Sequence, residues 1–115
     1  MNRRHLAWIA ASGWAALILA GSSVPGADPP PAEPFPQFDK LVHFTEYAVL
    51  GALLAWALGR RPVVAAIAAA ALFGVVDELW QSFVPGRDSS PFDWMADALG
   101  ACAGALIYSR RRWRS

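Results

Sequence analysis

Carboxylate side chains are the residues of this sequence whose type and spacing best suit chemistry. Six of the nine acidic residues lie near the ends of apolar stretches, namely Asp39, Glu46, Asp77, Glu78, Asp93 and Asp97. Carboxylates in such places can transfer protons or hold divalent cations. Because ionisable residues inside apolar membrane segments are costly, a group of them is a hypothesis for a functional site.

Four other polar side chains accompany the acids: His43, Tyr47, Gln81 and Arg87. Asp39, His43 and Tyr47 recur at intervals of four residues, which places them on one face of a helix. Asp93 and Asp97 have the same interval. We therefore predict that the polar side chains face one another instead of facing lipid.

The predicted binding site takes in ten residues: Asp39, His43, Glu46, Tyr47, Asp77, Glu78, Gln81, Arg87, Asp93 and Asp97. Three of them, His43, Glu46 and Glu78, are candidates for moving a proton in catalysis. Glu46, Asp77, Glu78 and Asp97 are the candidate metal ligands. Oxygen ligands at this density suit Mg²⁺ or Ca²⁺, whereas zinc would recruit His43.

The composition indicates the class of protein that must position these side chains. Of the 115 residues, 56% are hydrophobic and 17% are charged, which is apolar for a soluble chain. Four stretches approach the roughly 20 residues that a helix needs to cross a bilayer. They cover about residues 6–24, 41–58, 62–84 and 93–108. We predict an all-α integral membrane bundle of four transmembrane helices in a single domain, residues 1–115.

The distribution of arginine predicts the orientation of the bundle. Eight of the ten basic residues fall in three segments that four spans would place on one side: Arg3, Arg4, Arg60, Arg61, Arg110, Arg111, Arg112 and Arg114. Basic segments stay in the cytoplasm, so both termini are expected inside. The acidic layer then opens to the outside, about 10 Å below the surface. The net charge of +1 gives no basic patch for nucleic acid.

Two local features have alternative interpretations. Residues 6–24, after Arg3 and Arg4, resemble a secretory signal peptide, but no clean cleavage pattern follows, and we interpret them as the first span. Gly100 and Gly104 have the spacing of a helix-packing motif. That motif favours packing within the chain, with a dimer interface as the alternative.

The connections between the helices contain recognisable turn and capping residues. Pro62 is predicted at the first position of the third helix, where a missing amide hydrogen is harmless. Ser89 or Ser90 can cap the fourth helix. Asp93 would also favour the positive end of that helix's dipole.

Structural roles are the alternatives to functional ones for the polar residues. His43 can be a hydrogen-bonding residue that joins two helices. Glu78 and Gln81 can form a clasp to Arg87 or Lys40. These interpretations stay open beside the predicted site.

Three motifs together resemble those of the VanZ-like membrane proteins. They are DKLVHFTEY at 39–47, DELWQSFVPGR at 77–87 and DWMADALG at 93–100. The resemblance implies a multi-pass protein of the bacterial plasma membrane that faces the cell envelope. It also implies an association with antibiotic resistance, because the family is named after a protein that confers low-level resistance to teicoplanin. Many relatives carry Asn where this chain has Asp97.

Three classes of function follow from the polar layer. The first is binding of a cell-envelope lipid, a lipid-linked precursor or a glycopeptide. The second is a small intramembrane metal-dependent enzyme that acts on a lipid head group. The third is a small transporter, which ranks last because residues 6–20 contain no ionisable side chain. The oligomeric state is left open.

Overall fold

The computed structural model describes residues 1–27 and 31–114, except for the side chains of residues 113 and 114. It contains four helices: α1 (Arg3–Ser22), α2 (Phe38–Leu58), α3 (Val63–Gln81) and α4 (Pro91–Arg114). No strand occurs within those ranges. The predicted all-α fold is confirmed.

Three of the helices are long and apolar enough to cross a membrane, namely α1, α2 and α3. This agrees with the first three predicted spans. The fourth helix, α4, is not among them. Its first turns carry Asp93 and Asp97, and its last turn is rich in arginine.

The fourth helix extends beyond both ends of the predicted range, 93–108. It begins at Pro91 because Ser90 caps it, and the Ser90 hydroxyl accepts a hydrogen bond of 3.2 Å from the Phe92 amide. It continues to Arg114, so the arginine-rich segment that was predicted to follow the helix is itself helical. The prediction that one of the two serines caps this helix is confirmed.

The third helix is shorter than predicted at both ends. Pro62 has φ −55° and ψ 142°, an extended conformation, so it precedes the helix as its N-cap. The prediction that Pro62 is the first helical residue is therefore wrong by one position. At the other end the helix stops at Gln81, three residues before the predicted end at Val84.

Glycines bring α2 and α4 into backbone contact. A Cβ at Gly100 would overlap the backbone of Phe44, and a Cβ at Gly104 would overlap that of Ala48. Gly51 on α2 approaches α4 in the same way. The interpretation of the glycine motif as packing within the chain is confirmed. Such close approach gives the van der Waals contact that holds helices together in lipid.

The core lies where all four helices meet. It contains Ile18, Tyr47, Leu50, Ala70 and Ala101. α2 is the central helix, since it packs against each of the other three, whereas α1 makes little contact with α3. The polar side chains lie at one end of this core.

Candidate functional site

The two ends of the bundle carry opposite charges. At the first, which we name the acidic end, α1 and α3 finish and α2 and α4 begin. At the other, the arginine end, α2 joins α3 through residues 59–62 and α4 finishes. The Arg112 guanidinium donates there to the carbonyl oxygen of Gly59. All ten predicted binding residues lie at or near the acidic end.

Two pairs of polar side chains join α2 to α4 at the acidic end. The Lys40 Nζ lies 2.5 Å from Asp39 Oδ2 and 2.7 Å from Asp93 Oδ1. One turn deeper, the His43 Nδ1 is 2.8 Å from Asp97 Oδ1. Asp97 is fully buried, with an exposed fraction of 0%. Lys40 and His43 are three residues apart on α2 and Asp93 and Asp97 are four apart on α4, so each helix presents its two side chains on one face and the pairs form a ladder.

A third polar contact joins α2 to α3 below the ladder. The Tyr47 hydroxyl donates to Asp77 Oδ2 at 3.0 Å, and both side chains are buried. Asp77 Oδ1 has no hydrogen-bond partner. On the other face of α2, the Trp14 indole of α1 donates to the backbone carbonyl of Glu46 at 2.8 Å. The Glu46 side chain is half-buried.

Glu78 on α3 is held by the turn before α4. Its Oε2 accepts from the Ser89 hydroxyl at 3.0 Å and from the Ser90 amide at 3.2 Å. The Ser89 hydroxyl also lies 3.1 Å from the backbone carbonyl oxygen of Glu78. The second carboxylate oxygen, Oε1, is buried without a partner. The turn thus orients the carboxylate, but it gives hydrogen bonds to only one of the two carboxylate oxygens.

Glu78 and Gln81 do not form the clasp to a basic side chain that was one alternative for them. Within the described ranges, neither residue bonds to Arg87 or Lys40. Gln81 instead donates to the Ser22 hydroxyl of α1 at 3.1 Å. Lys40 is already occupied by two aspartates of α2 and α4. α1 and α3 thus meet through Ser22, which the sequence pattern did not single out.

Three side chains from three helices form a group with metal-ligand chemistry. One ligand atom each of His43, Glu78 and Asp93 lies within 4.8 Å of the others. His43 is partly buried, and the two acids are buried. An imidazole with two carboxylates is a common ligand set for divalent metal ions.

The predicted metal ligands lie in different surroundings. Glu78 belongs to the three-residue group. Asp97 contacts that group through its hydrogen bond to His43. Asp77 pairs with Tyr47 instead. The Glu46 carboxylate accepts no hydrogen bond within the described part of the chain.

A cavity of about 480 Å³ opens beside the polar ladder, between α1, α2 and the ends of the loops. Its lining contains four large apolar side chains, Leu17, Ile18, Phe38 and Val42. The lining also contains the polar side chains of His43, Glu46, Gln81 and Arg87. An adjoining cavity of about 420 Å³ shares Asp39, His43, Gln81 and Arg87 and also reaches Asp93.

Sequence reasoning missed the residue that makes room for Asp97. A Cβ at Gly74 would lie 3.3 Å from Asp97 Oδ2 and 3.3 Å from Trp94 Cδ1. Gly74 therefore lets a buried carboxylate and an indole pack against α3. The only signal in the sequence was a glycine in a helix that is otherwise rich in alanine and branched residues. The Trp94 indole donates to the Ala71 carbonyl at 3.0 Å and fixes the same contact.

Comparison with known proteins identifies the family. The sequence profile described as VanZ/LLP1 matches residues 4–112 of the 115-residue chain. No curated protein and no solved structure matches the chain. The matched range includes the three motifs and every residue of the acidic end discussed above. The protein therefore belongs to the VanZ/LLP1 family.

Proposed function

We propose that the acidic end binds the head group of a cell-envelope lipid or lipid-linked precursor at the outer face of the bacterial plasma membrane. The observation that carries this proposal is the mixed lining of the 480 Å³ cavity, which contains both apolar and charged side chains. Leu17 and Val42 offer an apolar surface to an acyl or prenyl chain. Glu46, Gln81 and Arg87 offer charge and hydrogen bonds to a polar group. A cavity with both kinds of lining suits an amphiphilic ligand.

The orientation in this proposal rests on α4 acting as a fourth span with both termini in the cytoplasm. Its 24 residues reach about 36 Å, which is enough to cross the hydrocarbon core. Asp93 and Asp97 would be costly in lipid. Since both are buried against α2, where Lys40 and His43 pair with them, that cost is reduced.

The polar lining of the cavity supports a head group with both acidic and donor atoms. Arg87 lines it and can bind a phosphate or carboxylate through two parallel hydrogen bonds. The side-chain oxygens of Glu46 and Gln81 can accept hydrogen bonds from hydroxyl or amino groups of a sugar or peptide. A lipid-linked envelope precursor carries both kinds of group, and a glycopeptide is the competing ligand of similar chemistry.

The test uses two glycines of α1 as a matched pair. Neither Gly21 nor Gly13 would place a Cβ within 4 Å of another group, but only Gly21 lines the cavity. Gly21→Leu should fill the cavity, and native mass spectrometry of the purified protein should show at least a tenfold loss of co-purified envelope lipid. Gly13→Leu should retain it. Equal retention of lipid in both variants would contradict the proposal. If the purified protein retained a glycopeptide and no lipid, the glycopeptide would be the ligand.

The second candidate function is a metal-dependent enzyme that acts on the lipid head group. It is favoured by one observation: His43 and Asp93 belong to the three-residue group and also line the 420 Å³ cavity. An ion held there would lie beside a bound head group and could activate water. The same mass spectra decide between the two functions, because binding retains an intact head group and catalysis leaves a cleaved one.

A further inference from the structure

We propose that His43, Glu78 and Asp93 bind one divalent transition-metal ion of the zinc type. The inference goes beyond lipid binding, since it depends neither on the ligand of the cavity nor on the side of the membrane that the acidic end faces. It concerns three side chains on α2, α3 and α4 and the groups that hold them.

The spacing of the three ligand atoms suits a metal ion. Since they lie within 4.8 Å of one another, an ion at their centre is no more than about 2.8 Å from each. Zinc bonds to nitrogen and oxygen are about 2.0 to 2.2 Å long. Small side-chain rotations therefore close the site, without movement of the helices.

His43 is oriented as a ligand by Asp97. An ionised carboxylate can only accept, so with Asp97 ionised His43 Nδ1 carries the hydrogen in the 2.8 Å bond between them. This tautomer leaves the Nε2 lone pair available to a metal ion. A carboxylate behind a histidine is the usual arrangement around a bound metal, because it fixes the ring and raises its basicity.

Glu78 provides an independent reason to place an ion here. Ser89 and Ser90 bind its Oε2, but Oε1 is buried without any partner, and the whole residue is only 8% exposed. A buried carboxylate oxygen without a donor is destabilising. A cation coordinated by Oε1 would remove that cost while the serines keep the carboxylate in place.

Asp93 is held in a comparable way. Lys40 Nζ lies 2.7 Å from its buried Oδ1 as an ion pair, but this oxygen has no well-aligned hydrogen bond. Lys40 does not neutralise the cluster, because it also contacts Asp39 at 2.5 Å. Glu78 and Asp97 add two further carboxylates, one within the three-residue group and one bonded to His43. A divalent cation brings this excess of negative charge close to balance.

The ligand types decide which metal is expected. Mg²⁺ and Ca²⁺, which the sequence favoured, prefer six or more oxygen ligands. An imidazole nitrogen with two carboxylates suits zinc and related ions better. Three protein ligands leave a fourth position open, as in catalytic zinc sites, and the adjoining cavity reaches His43 and Asp93.

Calorimetric titration of the purified full-length protein tests the site. After removal of metal with a chelator, we expect one Zn²⁺ to bind per chain, at least 100-fold more tightly than Mg²⁺. Glu78→Gln should lower the zinc affinity at least tenfold. Asp97→Asn, which removes only the negative charge behind His43, should lower it less. The absence of stoichiometric zinc binding to the wild type overturns the proposal.

Matched variants separate loss of a ligand from loss of fold. Asp88→Asn changes an exposed acid in the same turn as Ser89 and should leave zinc affinity unchanged. The chain has two histidines, so His5→Gln on the exposed start of α1 is the control for His43→Gln. With Co²⁺ as a coloured substitute, His43→Gln should change the visible spectrum and His5→Gln should not. An unchanged spectrum in both overturns the site, while lipid retention by the Gly13 and Gly21 variants reports separately on the cavity.

Discussion

The acidic end and the arginine end carry charges of opposite sign in opposite kinds of surroundings. Asp77, Asp93 and Asp97 are buried and bonded across helices. Arg60 and Arg61 are exposed, and they border a cavity of about 550 Å³ at the loop between α2 and α3. Buried charges constrain the packing of the bundle, whereas exposed charges chiefly influence its orientation in a membrane. Burial, more than charge itself, distinguishes a candidate site from a topology signal.

The largest effect is expected where α2 and α4 touch. Gly100→Leu should push α4 away from the Phe44 backbone and separate Lys40 from Asp93, because a Cβ at position 100 overlaps that backbone. We expect a loss of at least about 3 kcal/mol in the free energy of unfolding. Thermal unfolding in detergent measures it, and Gly13→Leu is the control, since that position is open. Equal stability of the two variants would show that the close packing is not required.

A smaller effect is expected from breaking one buried pair at the acidic end. Asp97→Ala removes the partner of His43 and should destabilise the protein by about 3 kcal/mol, as expected for a broken buried pair. Arg60→Ala at the exposed arginine end should change stability by less than about 0.5 kcal/mol. Denaturant titration of both variants makes the comparison. Similar losses would remove the distinction between the two ends.

The smallest perturbation tests the orientation of the two ends. In a Cys102→Ala background, Asp88→Cys and Arg60→Cys each place one thiol at an exposed position, one at each end of the bundle. We expect no measurable change in stability. The test uses cells whose plasma membrane is intact and whose outer membrane is absent or removed. A membrane-impermeant maleimide should label position 88 in these cells and should label position 60 only after lysis. Labelling of both positions from the outside would contradict the proposed topology.

Sequence patterns predicted the helices better than the contacts between them. Apolar length and proline positions gave four helices, because both depend on local geometry. The hydrogen bonds that Glu78 accepts from Ser89 and Ser90 were not predictable, since they require the turn before α4 to fold back over the end of α3. The role of Gly74 was equally hidden, because it depends on which side chains of α4 face it.

Four-residue intervals carried the most information about the candidate site. They placed Asp39, His43 and Tyr47 on one face of α2, and the structure pairs two of them with α4 and α3. They did not show which acid would stand next to His43. The choice of Asp97 as its partner and of Asp93 as its neighbour follows from the register between α2 and α4, which the glycine contacts set in three dimensions.

The backbone contact between α2 and α4 also has a consequence for ion size. His43 and Asp93 stand on two helices whose separation is set by glycine contacts, so the backbones that carry these two proposed ligands are held at a fixed distance. Glu78 stands on α3, which the serine turn joins to α4. Adjustment to a larger ionic radius would therefore fall on the ligand side chains and on α3. The size of cation that the proposed site accepts would then depend on how far α3 and the ligand side chains can move.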